Sequence, residues 1–109
     1  ELGIMAQNSP WRKNEYDFKL LIKENSKIGN AKFQNKEIMK GQIDLVFQDS
    51  QDNNKFIIVD YKTDTDEIPE IHFTQLESYR LAVSKFKSTS LSNVRCFIFY
   101  LRSGNFVEI

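Results

Sequence analysis

The sequence predicts an α+β fold in which a helix packs on a mixed β-sheet, with the element order β-β-β-α-β-β. Three stretches within the first 62 residues have the alternation or apolar composition of strands, with polar turns between them. One amphipathic stretch follows, and two further strand-like runs end the chain. A meander of hairpins followed by a helical crossover produces a sheet with both parallel and antiparallel neighbours.

The first predicted strand covers residues 15–22, and a polar turn region follows it. Apolar side chains alternate along this stretch, which is typical of a strand with one buried face. The alternating residues are Tyr16, Phe18, Leu20 and Ile22. Asn25-Ser26 and Gly29-Asn30 contain residues that favour turns, so we expect the chain to turn between residues 25 and 30.

The second and third predicted strands cover residues 37–48 and 55–62. Residues 49–54 are polar and predict a hairpin turn between them. The third strand is almost entirely apolar until Asp60, and such a run indicates burial on both faces. It is therefore predicted to be the central strand of the sheet.

A helix is predicted over residues 70–87, between loops at 65–69 and 88–93. Side chains at helical spacing form one stripe along it. They are His72, Gln75, Leu76, Tyr79, Ala82, Val83 and Phe86. Residues 94–101 and 106–109 are predicted to be the last two strands.

Composition limits the classes of protein to which the chain can belong. With 109 residues, 40% of them hydrophobic, it can form one domain over residues 1–109 with its own core. Its single cysteine, Cys96, cannot form an internal disulfide or a cysteine-ligated cluster, and it is predicted to be a core residue. The net charge of zero argues against a free-standing, high-affinity nucleic-acid binder, but not against an enzyme whose substrate is delivered to it.

Cellular context is predicted from what the sequence lacks. No apolar run approaches the roughly 20 residues that span a bilayer, so no membrane partner is expected. There is no signal-peptide pattern, so a cytoplasmic location is expected. The chain opens on Glu1-Leu2-Gly3 without an initiator Met, so we expect it to be a fragment of a longer protein.

Asp44 interrupts the apolar run of the second strand, and a buried carboxylate is costly unless it is paired or binds a metal. The alternative is that Asp44 lies on the solvent face with Gln42. Asp60 and Lys62 end the third strand on a shared face, with Tyr61 on the other. A plain salt bridge would also explain that pair. The strand also resembles the Mg²⁺-binding strand of P-loop ATPases, but the chain has no Gly-rich phosphate loop.

Gln75 and Tyr79 lie one turn apart on the predicted apolar stripe of the helix. A buried amide and a buried phenol need hydrogen-bond partners. If the helix packs over the face that holds Asp60 and Lys62, it brings both polar groups to them. The alternative is that Tyr79 is a core residue and Gln75 lies at the margin of the stripe.

Together these residues could bind a divalent cation and cut a phosphodiester. Asp44 and Asp60 on adjacent strands would repel each other without a cation between them, and oxygen ligands select Mg²⁺ or Mn²⁺. The backbone carbonyl of Tyr61 could supply a further ligand. Lys62 would then orient or help to deprotonate the attacking water, or stabilise charge at phosphorus.

Three motifs in order give the chain a resemblance to a known family. It resembles the nuclease domain of the RecB and AddA helicase–nucleases, in the PD-(D/E)XK or restriction-endonuclease-like superfamily, over roughly residues 15–101. The motifs are Gly41-Gln-Ile-Asp44, Asp60-Tyr-Lys-Thr63 and Gln75-Leu-Glu-Ser-Tyr79. The resemblance implies that Asp44 and Asp60 bind metal, that Lys62 is catalytic, and that Gln75 and Tyr79 support the site and contact DNA.

Other features agree with the family in part. Glu15, ahead of Phe18, resembles an upstream Glu of the family. The alternative is that Glu15 is simply an exposed residue of the strand. The family usually has a metal-binding His on an upstream helix. No His precedes His72 here, so we expect that element either to lie outside this fragment or to be absent from the protein. We interpret His72 itself as structural. The four-cysteine iron–sulfur site of AddB-like relatives is missing.

The resemblance also implies a setting for the chain. It would be the C-terminal nuclease domain of a bacterial, nucleoid-associated repair and recombination enzyme, in which a helicase region and a partner subunit feed it DNA. The alternatives are a nuclease-like domain that guides DNA or docks a subunit without cutting, and a stand-alone nuclease of the same superfamily, including one that acts on RNA.

Overall fold

The computed structural model describes residues 6, 7 and 9–109 of the chain. Short 3-10 turns lie at Pro69–His72 and Leu91–Asn93. The α-helix α1 spans Phe73–Phe86. The strands are β1 (Arg12–Ile22), β2 (Ser26–Ile28), β3 (Ala31–Phe33), β4 (Glu37–Gln48), β5 (Phe56–Lys62), β6 (Val94–Tyr100) and β7 (Asn105–Glu108).

Five of these strands form one mixed sheet in the spatial order β1-β4-β5-β6-β7. Neighbours are antiparallel except β5 and β6, which are parallel because the chain crosses over through α1 between them. The order of sheet strands and helix along the chain is β-β-β-α-β-β, as predicted. β5 is the central strand, and Phe56 to Asp60 are all buried.

Helix α1 covers one face of the sheet. Leu76, Tyr79 and Val83 on the helix share a core with Ile58 and Cys96 of the strands. Cys96 is fully buried, so its predicted place in the core is confirmed. Ala6 packs on the opposite face, against a second apolar cluster that contains Leu45, Phe47, Ile57 and Val59. In the part of the chain that the structure describes, no helix is long and apolar enough to cross a membrane.

Asn25 and Gly29-Asn30 lie in turns, as predicted, and a small antiparallel hairpin is formed around the second turn. β2 and β3 pair as a separate two-stranded sheet, closed by Gly29 and Asn30. Gly29 has a φ of 57°, and a positive φ at the first of two loop residues is what a type II′ hairpin turn requires. The two strands themselves were not predicted, because each has only three residues, too few to show alternation.

The helix prediction was wrong at both margins. Pro69–His72 forms a 3-10 turn that leads directly into α1 at Phe73, and Pro69 lies in the first turn of this segment, where proline is tolerated. Phe86 is 64% exposed although it falls on the predicted buried stripe. It is the last residue of α1, and its ring contacts Tyr16 edge-to-face at a centroid distance of 5.7 Å rather than entering the core.

Candidate active site

β4 and β5 separate at the level of the two acidic motifs. Their last paired residues are Leu45 and Val59, so the same register would next place Asp44 opposite Asp60. The ladder stops there, and the backbone N–H of Tyr61 donates instead to Asp44 Oδ2 at 2.8 Å. The Asp44 side chain therefore supplies the acceptor at the point where the ladder between β4 and β5 stops. We call this point the fork, and the Asp44 side chain holds it open.

Strand β1 is irregular at the same level. Its pairing with β4 passes from Asn14–Leu45 to Tyr16–Ile43, and it omits Glu15 and Asp44. Glu15 has a φ of 49°, a left-handed conformation that costs a residue with a side chain on the order of 1 kcal/mol. Asp44 thus has no paired residue in either neighbouring strand. Glu15 is exposed, and its role as an upstream site residue stays a prediction.

Asp60 is the buried acid of the site, with 3% of its surface exposed. Lys62 Nζ lies 3.0 Å from Asp60 Oδ2 as an ion pair, and that oxygen has no further hydrogen-bond partner within residues 9–109 or at 6 and 7. Burial raises the pKa of Asp60; the Lys62 ammonium opposes this, and the nearby Asp44 carboxylate adds to it. A buried carboxylate oxygen with unused acceptor capacity fits a cation ligand.

Lys62 connects Asp60 to the helix. Its Nζ donates to Gln75 Oε1 at 2.9 Å, while the same ammonium contacts Asp60. The structure thus brings Asp60, Lys62 and Gln75 into one contiguous set. α1 packs over the face that holds Asp60 and Lys62, which is the condition under which Gln75 was expected to reach them. Gln75 is exposed rather than buried on the stripe, so its amide reaches the strand end from the rim of the site.

Tyr79 lies one helical turn beyond Gln75 and is 6% exposed. Burial, together with the nearby Asp60 carboxylate, raises the pKa of Tyr79 to about 12, so its hydroxyl remains protonated at neutral pH. Phe18 of β1 packs edge-to-face against the Tyr79 ring at a centroid distance of 5.5 Å. Tyr79 is therefore a neutral donor whose ring is fixed by packing.

Gly41 of the first motif makes room for that packing. It pairs with Phe18 across β1 and β4, and a Cβ at Gly41 would lie 2.6 Å from Phe18 Cε2. The glycine is needed because the Phe18 ring crosses its backbone on the way to Tyr79. The Gly-x-x-Asp motif thus places a glycine where the Phe18 ring crosses the backbone, and an acid three residues later at the fork.

We expect Gly41→Ala to lower the free energy of unfolding by about 1–2 kcal/mol, because the Phe18 ring must move out of a packed position. Urea unfolding of Gly41→Ala, Phe18→Leu and the double variant measures this as a cycle. Phe18→Leu removes the ring, so the cost of Gly41→Ala should largely vanish in that background. Equal costs in both backgrounds would show that the ring is not the reason for the glycine.

A second side-chain contact joins the start of α1 to the end of β5. His72 Nε2 lies 2.7 Å from Asp64 Oδ2, two residues beyond Lys62, and His72 is the N-cap residue of α1. The Asp64–His72 and Lys62–Gln75 contacts therefore fix the first turn of the helix at two points. Asp64 ends the Asp-Tyr-Lys-Thr-Asp string that begins at Asp60, and its pairing with His72 was not predicted from the sequence.

The part of the chain with assigned structure contains no group of three or more His, Cys, Asp or Glu side chains arranged to hold a metal. The donors present are the two carboxylates of Asp44 and Asp60. Mg²⁺ sites often use one or two carboxylates and complete the shell with waters and substrate phosphate oxygens. The donor set thus fits a hard cation that is bound in part by its substrate.

The comparison with family models identifies a relationship that covers nearly the whole chain. The model described as PD-(D/E)XK nuclease superfamily matches residues 3–108. No curated protein matches the chain. The matched region contains the fork, the Asp60–Lys62–Gln75 set and the supporting Tyr79.

Proposed function

The chain belongs to the PD-(D/E)XK nuclease superfamily, and from that premise we propose that it hydrolyses DNA phosphodiesters with Mg²⁺, for which Mn²⁺ can substitute. The observation that carries this proposal is the buried Asp60 carboxylate, which lies near the Asp44 carboxylate and pairs with one ammonium, that of Lys62, at 3.0 Å. One ammonium leaves a net negative charge on two close acids, and a divalent cation between them would remove their repulsion.

Asp44, Asp60 and the backbone carbonyl of Tyr61 would hold the cation. Once bound, the cation polarises the phosphoryl oxygen and lowers the pKa of water at the site. Asp44 is already held in place by the Tyr61 N–H. The hydrogen bond at the fork thus positions the Asp44 carboxylate, and burial in the core of the sheet positions the Asp60 carboxylate.

Lys62 is the proposed catalytic base or charge stabiliser. Its ammonium is held between the Asp60 carboxylate and the Gln75 amide oxygen, so it points along the site rather than into solvent. Gln75 acts as a positioning residue through that bond. Tyr79 keeps its proton at neutral pH, and its hydroxyl can donate to a phosphate oxygen.

We further propose the RecB/AddA-type setting, in which residues 1–109 form the C-terminal exonuclease domain of an ATP-dependent helicase–nuclease for double-strand-break repair. The three motifs at their separations support it, as does a chain without a net basic charge. The helicase region of the same polypeptide and a partner subunit would then deliver DNA, and the enzyme would work at the bacterial nucleoid in the cytoplasm.

Lys62→Met should reduce the rate of Mg²⁺-dependent DNA cleavage about a hundredfold, the lower end for a positioned acid–base group. Lys55→Met is the matched control, because Lys55 precedes the same strand at its other end and pairs only with Asp52, at 3.8 Å. The assay measures loss of linear, end-labelled DNA with Mg²⁺, Mn²⁺ or a chelator. Cleavage by wild type that equals that of Lys62→Met would favour the non-cutting domain and contradict the catalytic assignment.

A further inference from the structure

The net charge of zero conceals an uneven distribution along the chain. Residues 12–40 contain eight Lys or Arg and four Asp or Glu, a net charge of +4. Residues 41–109 contain seven and ten, a net charge of −3. The positive part comprises β1, the β2–β3 hairpin and the first residues of β4, so basic residues are concentrated on one side of the fold.

Four exposed lysines meet around the hairpin, and we call them the lysine track. They are Lys23 after β1, Lys27 on β2, Lys32 on β3 and Lys85 near the end of α1. None of the four makes a salt bridge or a side-chain hydrogen bond to any residue at 6, 7 or 9–109. A group of uncompensated cations repels itself and favours a bound polyanion.

The track has the form of two connected grooves. Lys23, Lys27 and Lys85 line one with a volume of about 220 Å³. Lys27, Lys32 and Phe33 line the other, with a volume of about 330 Å³. Neither groove has an Asp or Glu in its lining, and Lys27 is common to both. Cations beside an aromatic ring are the composition of grooves that bind nucleic-acid strands.

Lys27 and Lys32 also face each other directly across the hairpin. Like charges opposite one another destabilise a strand pair. This hairpin has only three residues in each strand, so it has little pairing energy to offset the repulsion. An anion between the two ammonium groups would turn that repulsion into attraction for both.

The hairpin is fixed beside the candidate active site. Its turn packs on α1, where the backbone N–H of Asn30 donates to Thr74 Oγ1 at 2.9 Å. A Cβ at Gly29 would lie 2.7 Å from Thr74 Cα, so the turn approaches the helix closely. Thr74 immediately precedes Gln75, which holds Lys62. The hairpin that carries the track is therefore attached to the helix turn that also carries Gln75.

We propose that the lysine track binds the phosphate backbone of the nucleic-acid strand whose scissile bond lies at Asp60 and Lys62. This inference rests on the proposed function, which it deepens by naming the surface that holds the substrate. The occupant is a phosphodiester backbone because the track offers a line of cations rather than one enclosed charge. Neither groove is lined by a carboxylate that could recognise a cationic partner.

Binding is measured without cleavage, by fluorescence anisotropy of labelled single-stranded and duplex oligonucleotides in chelator over a series of salt concentrations. Lys27→Gln/Lys32→Gln should weaken binding about tenfold, and it should reduce the slope of log affinity against log salt by about 2. Lys13→Gln/Lys55→Gln removes the same charge and should bind within about twofold of wild type. Circular dichroism verifies that both double variants fold.

Equal affinity and equal salt slope for the two double variants would overturn the proposal. Competition by polyglutamate as effective as that by unlabelled oligonucleotide would also overturn it, in favour of an acidic protein partner. Because no metal is present, the result is independent of catalysis: failure of the proposed function appears as loss of the Lys62→Met effect on cleavage, and failure of the track appears here.

Discussion

Replacing Asp60 with asparagine should reduce metal-dependent cleavage about a thousandfold or more and at the same time raise the melting temperature of the metal-free protein. Loss of cleavage follows from losing a cation ligand, since metal stabilisation of transition-state charge contributes several kcal/mol and each 1.36 kcal/mol changes the rate tenfold. The gain in stability follows from burial. Asp60 is 3% exposed and lies near the Asp44 carboxylate, so the neutral amide relieves a desolvation penalty and the repulsion between the two acids.

The pH dependence of this gain follows from the raised pKa of Asp60. A carboxyl with a higher pKa in the folded state stabilises the fold below its unfolded pKa, about 3.9, and loses that contribution as the pH rises through the folded pKa. Wild type should therefore match Asp60→Asn at low pH and fall below it at neutral pH. We expect the melting temperature of Asp60→Asn to exceed that of wild type by more at pH 7 than at pH 3.5.

Thermal unfolding in chelator at pH 3.5 and pH 7, followed by cleavage assays, tests both parts of this prediction. Asp64→Asn is the matched control, because Asp64 is an acid near the same strand end that pairs with His72 and is not a proposed ligand. Asp60→Asn with reduced stability at pH 7 would show that the Asp60–Lys62 pair is a stabilising salt bridge. Adding Mn²⁺ should raise the melting temperature of wild type and leave Asp60→Asn unchanged.

Sequence reasoning predicted most of what depends on regular periodicity. The apolar run before Asp60 identified the central strand because burial on both faces removes polar positions from a strand. The spacing of Asp60 and Lys62 placed them on one face because side chains in a strand alternate. The helical stripe of Leu76, Tyr79 and Val83 placed α1 over that face, and all three are buried there.

The remaining features depend on departures from periodicity, which local patterns do not report. The irregular pairing at Glu15 and Asp44 breaks the alternation of two strands at once, and neither sequence segment contains a glycine or proline at that level. The Asp64–His72 contact joins a loop to a helix start and depends on the final path of the chain. The lysine track was hidden because charge was summed over the whole chain rather than over each part of the fold.

Asp44 has two separable roles, and two substitutions should distinguish them. Asp44→Asn keeps an oxygen that can accept from the Tyr61 N–H but removes the charge that binds a cation. Asp44→Ala removes both. We expect each to reduce cleavage about a thousandfold, for the same reason as at Asp60. Only Asp44→Ala should lose stability, by about 1 kcal/mol, because the Tyr61 N–H then lacks its partner at the fork.

Urea unfolding in chelator measures the structural role, and Mn²⁺ titration with cleavage assays measures the metal role. The two variants are matched controls for each other, because only Asp44→Asn keeps an acceptor for the Tyr61 N–H. If Asp44→Asn and Asp44→Ala unfold at the same urea concentration, the Asp44–Tyr61 bond does not hold the fork. If Asp44→Asn cleaves within about tenfold of wild type, Asp44 is not a metal ligand, and its departure from both strands has a purely structural cause.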